Sequence, residues 1–67
     1  MNIFEFRITY FEAESGSFIS SEILKQKADS REGAQDILWE YIEKAIYDYE
    51  DEMGVDVDYE ETLTNVS

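Results

Sequence analysis

Carboxylates are the side chains with the greatest capacity for chemistry in this sequence. The 67 residues include 17 Asp and Glu, 5 Lys and Arg and no His or Cys, which gives a formal charge of −12. Without His or Cys the chain has no imidazole base, no thiolate and no ordinary set of zinc ligands. A serine nucleophile would also lack the histidine that usually activates it. We therefore expect neither an enzyme nor a bound cofactor or metal.

The carboxylates are concentrated in the C-terminal half of the chain. Residues 1–32 hold six acids and four bases, whereas residues 33–67 hold eleven acids and a single base, Lys44. Such a charge repels nucleic acid and anionic membranes and attracts a basic protein surface. We expect a basic protein as the partner and no direct binding to nucleic acid or membrane. No segment approaches the ~20 apolar residues of a membrane span or resembles a signal peptide, so a cytoplasmic location is expected.

The N-terminal half predicts a β-hairpin. Residues 2–12 alternate between apolar and polar side chains, as a half-buried strand does. Gly16 can adopt the positive φ that short hairpin loops require, and residues 18–28 predict the returning strand. The hairpin is therefore expected over residues 2–28.

The register of this hairpin has two solutions. A two- or four-residue loop places Ile23 opposite Ile8, whereas a three-residue loop with a bulge places Leu24 opposite Ile8 and Ala28 opposite Phe4. We favour the second solution because it turns alternate residues of the returning strand toward the helix, namely Leu24, Gln26 and Ala28.

Residues 30–53 predict one amphipathic helix. Asp29 and Glu32 have the spacing of a capping box, and Gly54 suits a left-handed C-cap. At helical periodicity the apolar positions gather on one side, which we expect to cover the aromatic face of the hairpin. These positions are Ala34, Leu38, Tyr41, Ile42, Ala45, Ile46 and Tyr49.

Alternation returns after the helix. Residues 55–60 predict a short third strand at a sheet edge, with both valines and the tyrosine facing inward, and residues 62–67 are expected to form a tail. The whole chain is thus predicted to be a single α+β domain. Its architecture is an antiparallel β-hairpin packed on one amphipathic helix with a short third strand, a ββαβ-like order.

The end of the predicted helix carries charge of the wrong sign for helix stability. Acids fill its last turns, where the helix dipole favours cations by about 0.3–1 kcal/mol each. Acids one helical turn apart, such as Asp36 and Glu40, also repel each other. Local rules that are broken in one region and in one direction are expected at functional surfaces.

We therefore predict that two rows of acids and two aromatic anchors form a partner-binding surface. Acids one helical turn apart are separated by about 5–6 Å along the helix axis, and alternate acids on a strand by about 6.6 Å. These rows are a sparser version of the phosphates of one DNA strand, which are ~3.4 Å apart along the axis. The candidates are Asp36, Trp39, Glu40, Glu43, Tyr47, Glu50, Asp51 and Glu52 on the helix, with Asp56, Asp58 and Glu60 on the strand.

In its length, acidity, order of elements and lack of catalytic side chains, the chain resembles the small inhibitor proteins encoded by bacteriophages. These include DNA-mimicking uracil-DNA glycosylase inhibitors and several anti-CRISPR proteins. The resemblance covers the whole chain in overall character and involves no shared motif, so no site residue is transferred. It implies an inhibitor that occludes the basic nucleic-acid-binding surface of a host or defence protein, in the host cytoplasm.

Other interpretations of the same residues stay open. One helix covers only one face of a hairpin, so Ile3 and Phe11 on the other face favour a small structural or regulatory interaction module that forms a homodimer. The acids can also be a solubilising surface or an adaptation to high salt. The alternation of Asp56, Asp58 and Glu60 suits a hard cation, although it lacks the spacing of an EF-hand.

Overall fold

Three strands and one helix follow the predicted order along the chain. The computed structural model describes residues Met1–Ser67 and contains β1 (Asn2–Glu12), β2 (Phe18–Ala28), α1 (Arg31–Met53) and β3 (Val57–Val66). The strands form one antiparallel sheet in the order β2-β1-β3, and α1 packs on one of its faces. The predicted α+β fold with ββαβ order is confirmed.

The core lies between α1 and the central strand. Alternate residues of β1 are buried because successive side chains of a strand point to opposite faces of the sheet. Burying large apolar side chains stabilises a fold by about 1.5–3 kcal/mol each, so these residues provide most of the hydrophobic stabilisation. The buried set is Phe4, Phe6, Ile8, Tyr10, Ala28, Ala34, Leu38, Ile42 and Val57.

The pairing of β1 with β2 differs from both predicted registers. Ile8 lies opposite Glu22, and Leu24 lies opposite Phe6. The cause is a longer connection over residues 13–17 together with an irregularity in the pairing beside Phe11. The favoured register is wrong by two residues, yet the residues of β2 predicted to face the helix are correct. A shift by two keeps every side chain on the same face of the sheet.

The helix predicted over 30–53 spans Arg31–Met53 and is capped by a different side chain from the predicted one. Ser30 is the N-cap, and its Oγ accepts a hydrogen bond from the Gly33 N–H at 3.1 Å. The capping box at Asp29 is therefore wrong. At the other end, Gly54 has a φ of 69° and donates its N–H to the Glu50 carbonyl at 2.8 Å, as the left-handed cap requires.

Tyr41 is not the core residue that helical periodicity predicts. Its side chain is 51% exposed, and its hydroxyl donates to Glu22 Oε1 at 3.0 Å. The buried Tyr10 hydroxyl donates to Glu22 Oε2 at 2.8 Å, so one carboxylate joins the edge strand to the helix and the core. The other six positions of the predicted apolar face are buried or pack against the core.

β3 begins later and ends later than predicted. The predicted strand over 55–60 and tail over 62–67 are replaced by ten residues paired with β1. Ser67 extends this pairing, because its N–H donates to the Ile3 carbonyl at 2.9 Å and its carbonyl accepts from the Ile3 N–H. The tail prediction is wrong because the segment satisfies its backbone groups along β1 and packs Leu63 against the core.

Candidate acidic interface

An open groove between α1 and β3 is lined mainly by acidic and aromatic side chains. It has a volume of about 700 Å³, with α1 as one wall and β3 as the other. The structure brings four of the predicted site residues to this groove: Asp36, Trp39, Asp58 and Glu60. The other lining residues are Gln35, Ile42, Tyr59 and Glu61.

Two aromatic rings meet in the groove. The Trp39 and Tyr59 ring centroids are 5.7 Å apart and the ring planes are tilted by 40°. Trp39 remains 43% exposed, so its indole is partly packed and partly available to a partner. Burial, followed by the negative charges of Glu61 and Asp58, raises the pKa of the Tyr59 phenol above its usual value. The groove therefore has an environment that opposes further negative charge.

The strand acids approach the groove from its outer rim. On β3, Asp58 lies opposite Phe11 and Glu60 lies opposite Thr9, whereas Tyr59 lies opposite the buried Tyr10. Alternation therefore directs Asp58 and Glu60 away from α1. The two predicted rows of acids therefore do not lie side by side on one face.

The helix acids form a stripe on the side of α1 away from the sheet. Asp36, Glu40 and Glu43 follow each other at helical spacing, and Tyr47 comes next on the same side of the helix. All of these side chains except the half-buried Glu43 are exposed. The one ion pair in the protein joins Lys25 to Glu5 at 3.7 Å, far from this stripe in the sheet. No acid of the stripe is paired with a base, so the charge remains available to a partner.

Glu50 has a structural role that the sequence does not reveal. Its Oε2 accepts a hydrogen bond from the Val57 N–H at 3.0 Å, and its carbonyl accepts the Gly54 N–H. The side chain is half-buried in the turn that joins α1 to β3. We therefore assign Glu50 first to this turn and only second to the candidate interface.

The last turn of α1 has the unfavourable polarity that the sequence predicts. Asp51 and Glu52 are exposed there, and the turn contains no basic residue. Neither carboxylate has an ion-pair partner. The repulsion between these charges and the negative end of the helix dipole is thus uncompensated within the protein.

A second, smaller acidic concavity lies beside the α1–β3 turn. It has a volume of about 380 Å³ and includes Asp56, which is held near the hairpin loop by a hydrogen bond from the Ala13 N–H to its carbonyl at 2.9 Å. No group of three or more acidic side chains converges closely enough to hold a metal ion. The concavity is lined by Glu12, Glu14, Glu50, Gly54, Val55 and Asp56.

Four residues of the groove were not predicted as parts of the site: Gln35, Ile42, Tyr59 and Glu61. Tyr59 was predicted to face inward, which is correct, but its contact with Trp39 depends on how the helix lies on the sheet. Glu61 accepts a hydrogen bond from Gln35 across the groove. The available signal was the continued alternation of Val57, Tyr59 and Glu61, which places an acid on the helix side of the strand.

The helix does not have the apolar length needed to cross a membrane. Comparisons with protein-family models, with curated proteins and with solved structures find no match to this chain. Function is therefore inferred from geometry and charge alone.

Proposed function

We propose that this protein is a non-enzymatic inhibitor that binds and occludes the basic nucleic-acid-binding surface of a host or defence protein. The observation that carries the proposal is the groove between α1 and β3. Four carboxylates line it or its rim, no basic side chain pairs with them, and the half-exposed Trp39 lines the same groove. A surface of this composition is complementary to basic side chains that otherwise bind phosphates.

Regular secondary structure supports this function because it holds the acids in place before binding. The acids of the stripe lie on one helix, and those of the rim lie on a strand paired along its whole length. Binding then costs little backbone ordering, which raises affinity without new contacts. The uncompensated charge also steers a basic partner and raises the association rate by about 10–10³-fold at low salt.

The aromatic pair favours arginine over lysine on the partner surface. A guanidinium group stacks on an indole or phenol ring and can bind a carboxylate through two parallel hydrogen bonds. Trp39 and Tyr59 offer such rings, and Asp36 and Glu61 offer nearby carboxylates. The proposed target surface is therefore a groove in which arginines contact the phosphate backbone.

The test begins with capture of partners from a bacterial lysate, followed by work with the purified partner. Trp39 is the one tryptophan of the chain, so its fluorescence reports directly on binding at the groove. We expect affinity to fall steeply with salt, and we expect a nucleic acid ligand of the partner to compete with this protein. A partner without a basic groove, an affinity indifferent to salt or an absence of competition would each refute the proposal.

A pair of charge-matched variants locates the binding surface. The first variant combines Asp36→Asn, Glu40→Gln and Glu43→Gln on the helix stripe, and affinity should fall at least about tenfold, the equivalent of 1.4 kcal/mol. The control removes the same charge from exposed acids elsewhere, Glu14, Asp29 and Glu32. A merely non-specific attraction predicts equal losses in the two variants, whereas the proposed interface predicts a loss confined mainly to the first.

A further inference from the structure

The sheet face that α1 leaves uncovered differs in charge from the rest of the protein. Three bases and three acids project from it, so this face is formally neutral in a chain with a net charge of −12. Three of the five basic residues of the whole chain are collected here. The six residues are Glu5, Arg7, Lys25, Lys27, Asp58 and Glu60.

Apolar side chains accompany these balanced charges. Ile3 is 39% exposed, Ile23 is 49% exposed and Phe18 is 68% exposed. Phe11 lies opposite Phe18 on the same face. Exposed apolar groups on a locally neutral surface are typical of a protein–protein interface.

The charges on this face are separated along the strands. Lys25 and Lys27 lie at the end of the sheet that contains Ile3, whereas Asp58 and Glu60 lie at the end that contains Phe11. Glu5 is already engaged, because Lys25 Nζ is 3.7 Å from its Oε1 and the Thr64 hydroxyl is 2.8 Å from its Oε2. The charges left without an ion-pair partner are Lys27 toward one end, Arg7 at the middle of β1, and Asp58 and Glu60 toward the other end.

We infer that the uncovered sheet face binds a second copy of this chain in a symmetric dimer with the two sheets stacked face to face. Lys25 and Lys27 lie on β2 and the two acids lie on β3, at opposite edges of the sheet. A two-fold axis that lies between the sheets and runs diagonally across the strands therefore places the basic corner of each copy over the acidic corner of the other. The same axis keeps Ile3 and Phe11 of both copies within the interface, because both residues lie on the central strand. The charge pattern is thus complementary to itself, which selects a second copy as the occupant.

The dimensions of the face indicate a weak dimer. An eleven-residue strand spans about 36 Å and three strands about 14 Å, so each copy buries at most roughly 500 Å². The total of about 1,000 Å² is at the lower limit for a specific interface, and we expect a micromolar dissociation constant. Repulsion between two copies of charge −12 weakens as salt rises, so the dimer should be tighter at moderate than at low ionic strength.

The test is a charge exchange followed by sedimentation equilibrium. Lys27→Glu and Asp58→Lys should each weaken the wild-type dimer at least about tenfold, although they move the net charge in opposite directions. The double variant should return to within about threefold of wild type, because the exchanged charges face each other again across the axis. Within one copy the two residues lie at opposite ends of the sheet, so rescue cannot arise inside the monomer.

Two controls separate this inference from the proposed inhibitor function. Ile3→Ser should weaken the dimer, whereas Ile37→Ser, at a 53% exposed helix position, should not. The helix-stripe variant should keep the dimer, and Lys27→Glu should keep binding to the inhibited target. A wild-type chain that stays monomeric at about 1 mM and moderate salt, or single variants that the double variant does not rescue, would overturn the dimer.

Discussion

The indole of Trp39 packs against the phenol of Tyr59, with ring centroids 5.7 Å apart. This contact joins the acidic helix to the acidic strand across the groove between them. A tilted aromatic pair contributes about 0.5–1.5 kcal/mol beyond the area that it buries. It therefore offsets part of the repulsion between the carboxylates that the same contact brings together, such as Asp36 and Glu61.

Loss of the indole should reduce stability as well as binding. Trp39→Ala should lower the free energy of unfolding by about 1–2 kcal/mol, because it removes the ring pair and part of the wall of the groove. Tyr47→Ala is the control, since that side chain is 63% exposed and has no ring partner. Urea unfolding followed by far-ultraviolet circular dichroism compares the two, and equal losses would show that the ring pair contributes nothing.

The turn between α1 and β3 should depend on the carboxylate of Glu50. Glu50→Ala removes the carboxylate that accepts a hydrogen bond from the Val57 N–H. This change should lower the free energy of unfolding by about 1 kcal/mol. Glu50→Gln retains an acceptor oxygen and should cost less. Glu40→Ala on the exposed stripe should be neutral or slightly stabilising. An order in which Glu40→Ala costs as much as Glu50→Ala would contradict the assigned role.

Reversing one charge in the last turn of α1 should stabilise the fold. Asp51→Lys places a cation at the negative end of the helix dipole and should add about 0.3–1 kcal/mol. Glu43→Lys is a matched control, because it makes the same charge change mid-helix and also places lysine three residues after an acid. Thermal unfolding compares the stabilities of the two variants. An equal gain in stability would show that net charge rather than the helix dipole is responsible.

Alkaline pH should destabilise the protein through its tyrosines. Burial, followed by the hydrogen bond and charge of Glu22, raises the pKa of Tyr10 above its ordinary value of 10.0. The pKa values of Tyr41 and Tyr59 are also raised, the former mainly by its hydrogen bond to Glu22 and the latter mainly by burial. Since the unfolded chain then loses its phenolic protons first, stability is complete below about pH 10 and falls as pH rises further.

This pH dependence can be measured as the urea midpoint between pH 8 and pH 11. Tyr10→Phe should reduce the slope above pH 10. The Tyr10→Phe variant also loses the hydroxyl bond to Glu22, so its stability at pH 8 should be lower. An unchanged slope in Tyr10→Phe would mean that the buried phenol is not the titrating group.

Screening should stabilise the monomer because its acids are not paired. The protein has one ion pair for 17 acidic residues, so self-repulsion is relieved when the Debye length falls from ~30 Å at 0.01 M salt to ~10 Å at 0.1 M. The melting temperature at low protein concentration should rise over this range. A flat or falling melting temperature would show that the acids do not destabilise the fold.

The candidate site was only partly predictable from the sequence. Residue type and helical spacing were sufficient to identify the stripe that contains Asp36, Glu40 and Glu43, because those positions depend on one helix alone. The structural use of Glu50 was not predictable, because it depends on where the first residue of β3 returns to the helix. The placement of Glu61 in the groove was not predictable either, because it depends on how the helix packs against the strand.

Local patterns in the sequence determined the kinds of element, their order and their inward faces, because alternation and helical periodicity are properties of a single segment. They also determined the excess of acids in the C-terminal half. Only the tertiary structure decided the pairing of Ile8 with Glu22, the full length of β3 and the opposite directions of the helix and strand acids. Those features depend on loop length and on pairing between distant segments, for which neighbouring residues carry no signal.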